Sequence, residues 1–226
     1  MGLILVIIAG VLSMAAQMYV QSSYQKYARI GTYKNMTGAQ VAKYILDANN
    51  ITDVVIRQSS GGTLSDHFDP SKKVVALSRD VYHGTSIASV AVAAHEIGHA
   101  IQYDKGYAGI AIRNALLKPA LVANQLAGLF IMLGFLFING SMGWMFDVGI
   151  IMLIVITAFQ ILTLPIEFDA SNRALKNIQG LNILESNEYE GAKTMLTAAA
   201  LTYVAAAVGS IMNLLRFIMI RNDRRN

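Results

Sequence analysis

The chain has 226 residues, of which 54% are hydrophobic and only 14% charged, with a mean hydropathy of +0.46, a balance that excludes an ordinary soluble domain. Its net charge of +4 is scattered between apolar stretches, with one small basic cluster at Arg221, Arg224 and Arg225, a pattern that favours phospholipid head groups over nucleic acid. Cysteine is absent and there are four histidines, so disulfides and thiol chemistry are excluded and a bound metal must be held by His, Asp or Glu.

In chain order, residues 1–19 form an uncharged run rich in Leu, Ile, Val and Ala, close to the roughly 20 residues of a spanning helix. With no basic leader and no Ala-x-Ala site before Gln21, it reads as a retained anchor rather than a cleaved signal peptide. Residues 21–118 are mixed and polar, as expected of an extramembrane domain. Within them Thr37-Gly38-Ala39-Gln40 opens an amphipathic helix through Val41, Tyr44, Ile45 and Leu46 that runs out at Asn49-Asn50. Residues 53–57 and 72–78 are β-rich, with Gly61-Gly62 and Asp69-Pro70 punctuating the chain between them. A second helix starts near Thr85 or Ser86, where a hydroxyl caps it, and continues to Tyr103 before Gly106.

Residues 119–138 and 149–164 are two further apolar spans, a membrane hairpin whose connection carries Trp144 at the interface. Pro165 bends or restarts the chain into a polar helix carrying Glu167, Asp169 and Arg173 as far as Gly180. A polar turn at residues 185–190 precedes an Ala-rich stretch over 197–220, which contains Asn213 and Arg216 and either spans or lies half-buried. The expected architecture is a mainly α membrane protein with about four transmembrane or membrane-embedded helices and a small α+β part. Its divisions fall at 1–20 (anchor), 21–118 (extramembrane domain), 119–164 (hairpin), 165–195 (completion of the site) and 196–226 (last membrane helix and basic tail). A chain that crosses twice between Lys118 and Pro165 returns to the side it left, so the helix ending at Tyr103 and the Glu167 helix share one face of the membrane.

Two of the four histidines stand in His95-Glu96-Ile97-Gly98-His99. On a helix this spacing puts both imidazoles on one face, one turn apart, where both reach one Zn²⁺ at about 2.0–2.1 Å. Glu96 is turned about 100° around the helix, able to reach a metal-bound water without ligating the metal. Zinc lowers the pKa of its water, and Glu96 takes the proton as hydroxide attacks a peptide carbonyl, then delivers it to the leaving amine. The flanking residues Ala91-Val92-Ala93-Ala94 and Ala100-Ile101 are small or apolar, where unligated imidazoles would be poorly satisfied. A catalytic zinc needs one more protein ligand beside an open position. The metzincin offsets hold Gln102 and Lys105, a thermolysin-like Glu would fall near Lys118-Pro119-Ala120, and site-2 membrane proteases bury the motif within a span. Glu167 is the candidate that remains, on the same side as the motif.

The stretches Val92-Ala93-Ala94-His95-Glu96-Ile97-Gly98-His99-Ala100-Ile101-Gln102, Leu164-Pro165-Ile166-Glu167-Phe168-Asp169-Ala170-Ser171, Thr63-Leu64-Ser65-Asp66-His67-Phe68-Asp69-Pro70 and Leu196-Thr197-Ala198-Ala199-Ala200-Leu201-Thr202-Tyr203-Val204-Ala205-Ala206 together resemble the YugP-type neutral zinc metallopeptidases of bacterial membranes, almost end to end. The resemblance implies one Zn²⁺ per chain, a gluzincin-type core, peptidase activity and a bacterial plasma-membrane location. More distantly the chain is similar to the HtpX-type and CAAX-prenyl-protease-type membrane gluzincins, which carry a Glu-x-x-x-Asp pattern after a membrane hairpin. Glu167 matches the ligand of that pattern, but the Asp that orients a zinc-bound histidine falls at Ser171, so Ser171, Asp169 or a carboxylate elsewhere must take its part. No histidine follows His99 to stabilise the oxyanion, which leaves Asn172, Arg173, Tyr189 or Tyr203, with Arg173 the expected one. His67 either approaches the metal or substrate or belongs to an Asx-rich turn, and His83 reads as a loop hydrogen-bonder. In a gluzincin an edge strand beside the metal pairs with an extended peptide, and the run 74–78, nearest in sequence to the motif helix, is the expected strand.

Lys26, Arg29, Lys34, Lys105, Arg113, Lys118, Arg173, Lys176 and Lys193 fall on the active-site side, against the C-terminal Arg221, Arg224 and Arg225, which places the site in the cytoplasm. The expected function is a membrane-embedded, zinc-dependent endopeptidase acting on membrane or membrane-adjacent proteins. Two alternatives compete with it. A silent zinc-containing scaffold or chaperone would not need Glu96 as a base, and a zinc hydrolase of lipid or small amides would not need a peptide-pairing strand.

Overall fold

The computed structural model describes residues 2–62, 65–137 and 140–223. Thr63 and Leu64 of the resembling stretches, Asn139 of the hairpin connection and Arg224 and Arg225 of the basic tail lie outside the described residues. In chain order the elements are α1 (Gly2–Ala28), α2 (Gly38–Ala48), β1 (Val55–Gln58), β2 (His67–Asp69), β3 (Val74–Leu77), α3 (Arg79–Tyr82), α4 (Ile87–Asp104), α5 (Ala108–Leu136), α6 (Trp144–Gly180) and α7 (Ser186–Asp223). Four of them, α1, α5, α6 and α7, are long and apolar enough to cross a membrane, so the last segment is as good a span as the others.

Local chemistry sets several boundaries where the sequence predicts them. Thr37 caps α2 through a reciprocal capping box with Gln40, and Asn50 leaves the helix with φ 58°, a conformation asparagine tolerates. Ser86 caps α4 by accepting from the Ser89 amide at 3.1 Å, and Gly106 at φ +62° follows its end. The prolines behave differently from expectation. α5 begins at Ala108 and carries Pro119 inside it, and α6 runs through Pro165 without a restart. A proline costs a helix interior about 3 kcal/mol, but long apolar helices tolerate it because neighbouring groups satisfy the freed carbonyl. The polar turn expected at 185–190 is likewise the first turn of α7.

The chain divides into two compact units. One comprises the described parts of Met1–Gln17, Ala111–Leu164 and Thr202–Asn226. Its α5 and α6 segments meet closely: a Cβ at Gly134 would press on the Phe146 backbone, and one at Gly149 would lie 3.0 Å from the Ile131 nitrogen. Small residues at such crossings are the usual device of membrane helices. Ala127, Ile131, Phe146, Ile150 and Leu153 form the buried core, joined by Leu214, Phe217 and Ile218. Thr157 and Ser210 share a hydrogen bond at 2.8 Å, and Arg221 donates through Nε and Nη2 to the two carboxylate oxygens of Asp147. Arg221 is therefore a paired charge rather than a free member of the basic cluster.

The other unit comprises Met18–Ile110 and Pro165–Leu201. Its sheet has the order β1-β3-β2, with β1 parallel and β2 antiparallel to β3. This overturns the expectation that the run 74–78 is an edge strand: β3 is central, both its sides are paired, and Val75 and Leu77 are fully buried. The sequence signal for β2 is weak because only three residues are extended and they alternate no apolar pattern. α4 lies at the centre of this unit, in one core with Val41, Ile45 and Leu46 of α2, Val75 and Leu77 of β3, Ile178 of α6 and Met195 and Leu196 of α7.

Gly98 of α4 sets the approach of α4 to α6. A Cβ there would press on the Ala170 carbonyl oxygen and lie 3.0 Å from its carbonyl carbon and 3.1 Å from its Cα. The obstacle is backbone, which cannot rotate away. Gly98→Ala is expected to destabilise the protein by about 1–3 kcal/mol and to lower its zinc content, as read by melting in detergent and metal analysis; an unchanged Tm with full zinc would show that the crossing relaxes freely.

Candidate metal centre

α4 and α6 bring three side chains to one point. His95 and His99 lie one turn apart on α4 with ring centroids 4.8 Å apart, and Glu167 reaches them from α6. Glu167 Oε2 is 3.4 Å from His95 Nε2 and 3.5 Å from His99 Nε2, and one ligand atom from each residue lies within 4.8 Å of the other two. It is the single such group of metal-ligating side chains among the described residues.

The donor set fits zinc. Tetrahedral ligands at roughly 2.05 Å stand about 3.3 Å apart, close to the two carboxylate–imidazole spacings. Glu167 is 6% exposed, and its Oε2 is buried with no hydrogen-bond partner among the described residues. A buried carboxylate oxygen left unpaired is costly, and a cation between it and the two Nε2 atoms removes that cost. Burial by itself would push the His99 imidazolium down, but the Glu167 and Glu96 carboxylates beside it hold its pKa above the usual histidine range. The pocket thus favours positive charge at His99.

The other nitrogen of each ring is also engaged. His95 Nδ1 lies 3.1 Å from Ser171 Oγ, and His99 Nδ1 lies 3.0 Å from Gln102 Oε1. Gln102 is fully buried, and its amide nitrogen donates to the Ile166 carbonyl at 2.7 Å and to Asp169 Oδ2 at 2.9 Å. Arg173 Nε donates to the same Asp169 oxygen at 2.6 Å. Of the three ways the sequence leaves open for replacing the missing Asp, the structure shows two at once: Ser171 on His95 directly, and Asp169 behind His99 through Gln102. Gln102 had no assigned part in the sequence reading. Its only signal was a polar residue three positions after His99, on a turn otherwise apolar enough to be buried.

Glu96 is 8% exposed; burial pushes its carboxyl above the usual carboxylate range, opposed by the His95 and His99 imidazoles. Arg173 is brought to Asp169. His67 is not part of the candidate metal-ligating group: it is exposed on β2 with Nδ1 2.9 Å from the Ser65 carbonyl. His83 is bonded to Gln58 at 3.0 Å, the loop contact expected of it.

Comparison with known proteins agrees with this chemistry. Residues 2–222 match the family described as "Putative neutral zinc metallopeptidase". The chain is 42% identical over 209 residues, 92% of its own length and 91% of the relative's, to "Putative membrane protease YugP" of Bacillus subtilis (strain 168). No solved structure matches it.

Metal analysis of the purified protein is expected to give about one zinc per chain, falling at least tenfold in Glu167→Ala and staying at the wild-type level in His67→Ala. The reverse pattern would transfer the third-ligand position to His67.

Proposed function

The chain belongs to this neutral zinc metallopeptidase family, and from that premise we propose that it is a membrane-embedded endopeptidase whose zinc is held by His95, His99 and Glu167 and whose general base is Glu96. It is an integral membrane protein with four candidate spans. The observation that carries the ligand set is the buried, unpartnered Oε2 of Glu167 facing both Nε2 atoms.

Zinc bound there supplies Lewis-acid chemistry, polarising a scissile carbonyl and acidifying water. Glu96, next to His95 on α4, takes the proton of the attacking water and passes it to the leaving amine. Its burial-raised pKa suits both halves of that task, since a carboxyl poised nearer neutrality gives a proton back more readily. For the oxyanion we assign Arg173, whose Nε is held by Asp169 and whose terminal nitrogens supply the donors.

For substrate, the strand is β2. Among the described strands it pairs with β3 along one side only, as β1 does, but β2 lies against α4 through Phe68, whose ring meets that of Tyr103 edge-on at 5.9 Å. Its entry is pinned by Asp66, which accepts from the Ser78 amide at 2.7 Å and the Ser78 hydroxyl at 3.1 Å. An extended peptide laid along the free side of β2 would be read mainly through its backbone, which favours membrane or membrane-adjacent polypeptides over lipid. The charge asymmetry of the connections favours a cytoplasmic site in a bacterial cell.

Glu96→Gln is expected to retain zinc and lose casein or peptide cleavage by about 10²–10⁴-fold; equal cleavage by both proteins would remove Glu96 from the mechanism. Because the chain has no cysteine, Lys43→Cys on the exposed face of α2 offers a unique label. A membrane-impermeant maleimide should react with it only after the plasma membrane is opened, and labelling in intact spheroplasts would put the site outside.

A further inference from the structure

The two histidines of the site are oriented by unlike partners. Ser171 Oγ, beside His95 Nδ1, can donate or accept, so it leaves the His95 ring free to carry its proton on either nitrogen. Gln102, beside His99, has no such freedom. Its two amide N–H groups are met by two acceptors, the Ile166 carbonyl and the Asp169 carboxylate. Turning the amide over would set its oxygen against both, inside a fully buried position where an unpaired polar group is costly. The orientation is therefore dictated by the network rather than chosen, and Gln102 Oε1 must face His99 Nδ1. An amide oxygen only accepts, so Nδ1 carries a proton, and in the neutral ring that metal ligation requires the lone pair lies on Nε2, toward Glu167.

We propose that Gln102 is the positioning residue that fixes which nitrogen of His99 meets the metal, with Ile166 and Asp169 holding its amide one way round and Arg173 holding Asp169. The inference rests on the ligand reading given under the proposed function. It gives the second histidine of the motif a fixed orientation, whereas an Asp at the place of Ser171 would act on His95. A carboxylate placed directly against His99 would do the same but would add a negative charge in the core. The amide conveys the pull of the half-exposed Asp169 inward without burying another charge. Gln102 stands on the same helix as both histidines and is bonded to α6, so it also ties the tautomer to the helix crossing that delivers Glu167: if α6 moves away, the amide loses both acceptors and His99 loses its fixed proton.

The test uses the full-length protein in detergent. Nitrogen-15 spectra of the imidazoles in zinc-loaded wild type should show His99 carrying its proton on Nδ1 with Nε2 on the metal; the opposite arrangement would overturn the proposal without any substitution. Zinc affinity measured against a competing chelator should fall about 10–100-fold in Gln102→Met, which keeps the volume and removes the acceptor. Gln102→Glu should also weaken zinc, because its carboxylate would face Asp169, and combining it with Asp169→Asn should restore about tenfold by returning an N–H donor to the pair. Loss of packing alone would not be repaired by that exchange of charge. Unchanged affinity in Gln102→Met, or a double variant no tighter than Gln102→Glu, overturns the proposal while leaving the ligand set intact. Failure of wild type to bind zinc through His99 would instead overturn the ligand reading and the proposal with it.

Discussion

The crossing of α4 and α6 at Gly98 and Ala170 is the contact on which the rest of the site depends. With no side chain at Gly98, the two backbones touch, and a Cβ would press on a carbonyl. Gly98 lies between the two histidines of the motif, while Ala170 lies between Glu167 and Ser171 and one residue beyond Asp169. A single close approach therefore delivers the candidate third ligand, the hydroxyl beside His95 and the carboxylate behind Gln102. A glycine inside a helix costs about 1 kcal/mol relative to alanine, a small amount against the loss of that geometry.

Around this crossing, polar groups are buried in number but almost all have partners. Gln102, Ser171 and Glu167 are buried, as are Ala94, Ile97, Ile166 and Ala170 on the same two helices, and each unpaired donor or acceptor there is expensive. The amide of Gln102 is fully used, Ser171 faces His95, and Asp169 collects two donors. Of these side chains, the buried atom without a hydrogen bond among the described residues is Oε2 of Glu167. That break in an otherwise closed network is where a cation fits, and the orientation of both imidazoles follows from the bonds their outer nitrogens make.

The sheet shows how the same local signals can mislead. Residues 74–77 are all apolar, with two β-branched valines, a composition that suits a strand buried on both faces, yet proximity in sequence to α4 suggested an edge. Parallel pairing with β1 on one side and antiparallel pairing with β2 on the other fill both its ladders. Among the described strands β1 and β2 each keep a free side, and the one that lies against α4 is β2, whose three residues include two polar ones. Polar residues are common on edges because they discourage unwanted pairing, and for the same reason they hide an edge strand from periodicity.

What the sequence by itself determined was everything carried by spacing along one element or by composition. The His95, Glu96 and His99 constellation depends only on helical periodicity, the caps at Thr37 and Ser86 only on neighbouring hydroxyls, and the membrane character only on runs of apolar residues. Glu167 was also legible, because a hairpin returns the chain to the side it left. Tertiary structure alone decided what lies between elements far apart in the chain. The bond from Gln102 to Ile166 spans 64 residues and that from His95 to Ser171 spans 76. Which of several polar groups completes such a pair depends on helix crossing and rotation to within an ångström, and no local pattern encodes that. The continuity of α5 and α6 through their prolines belongs to the same class, since the packing of a long helix outweighs a local penalty of about 3 kcal/mol.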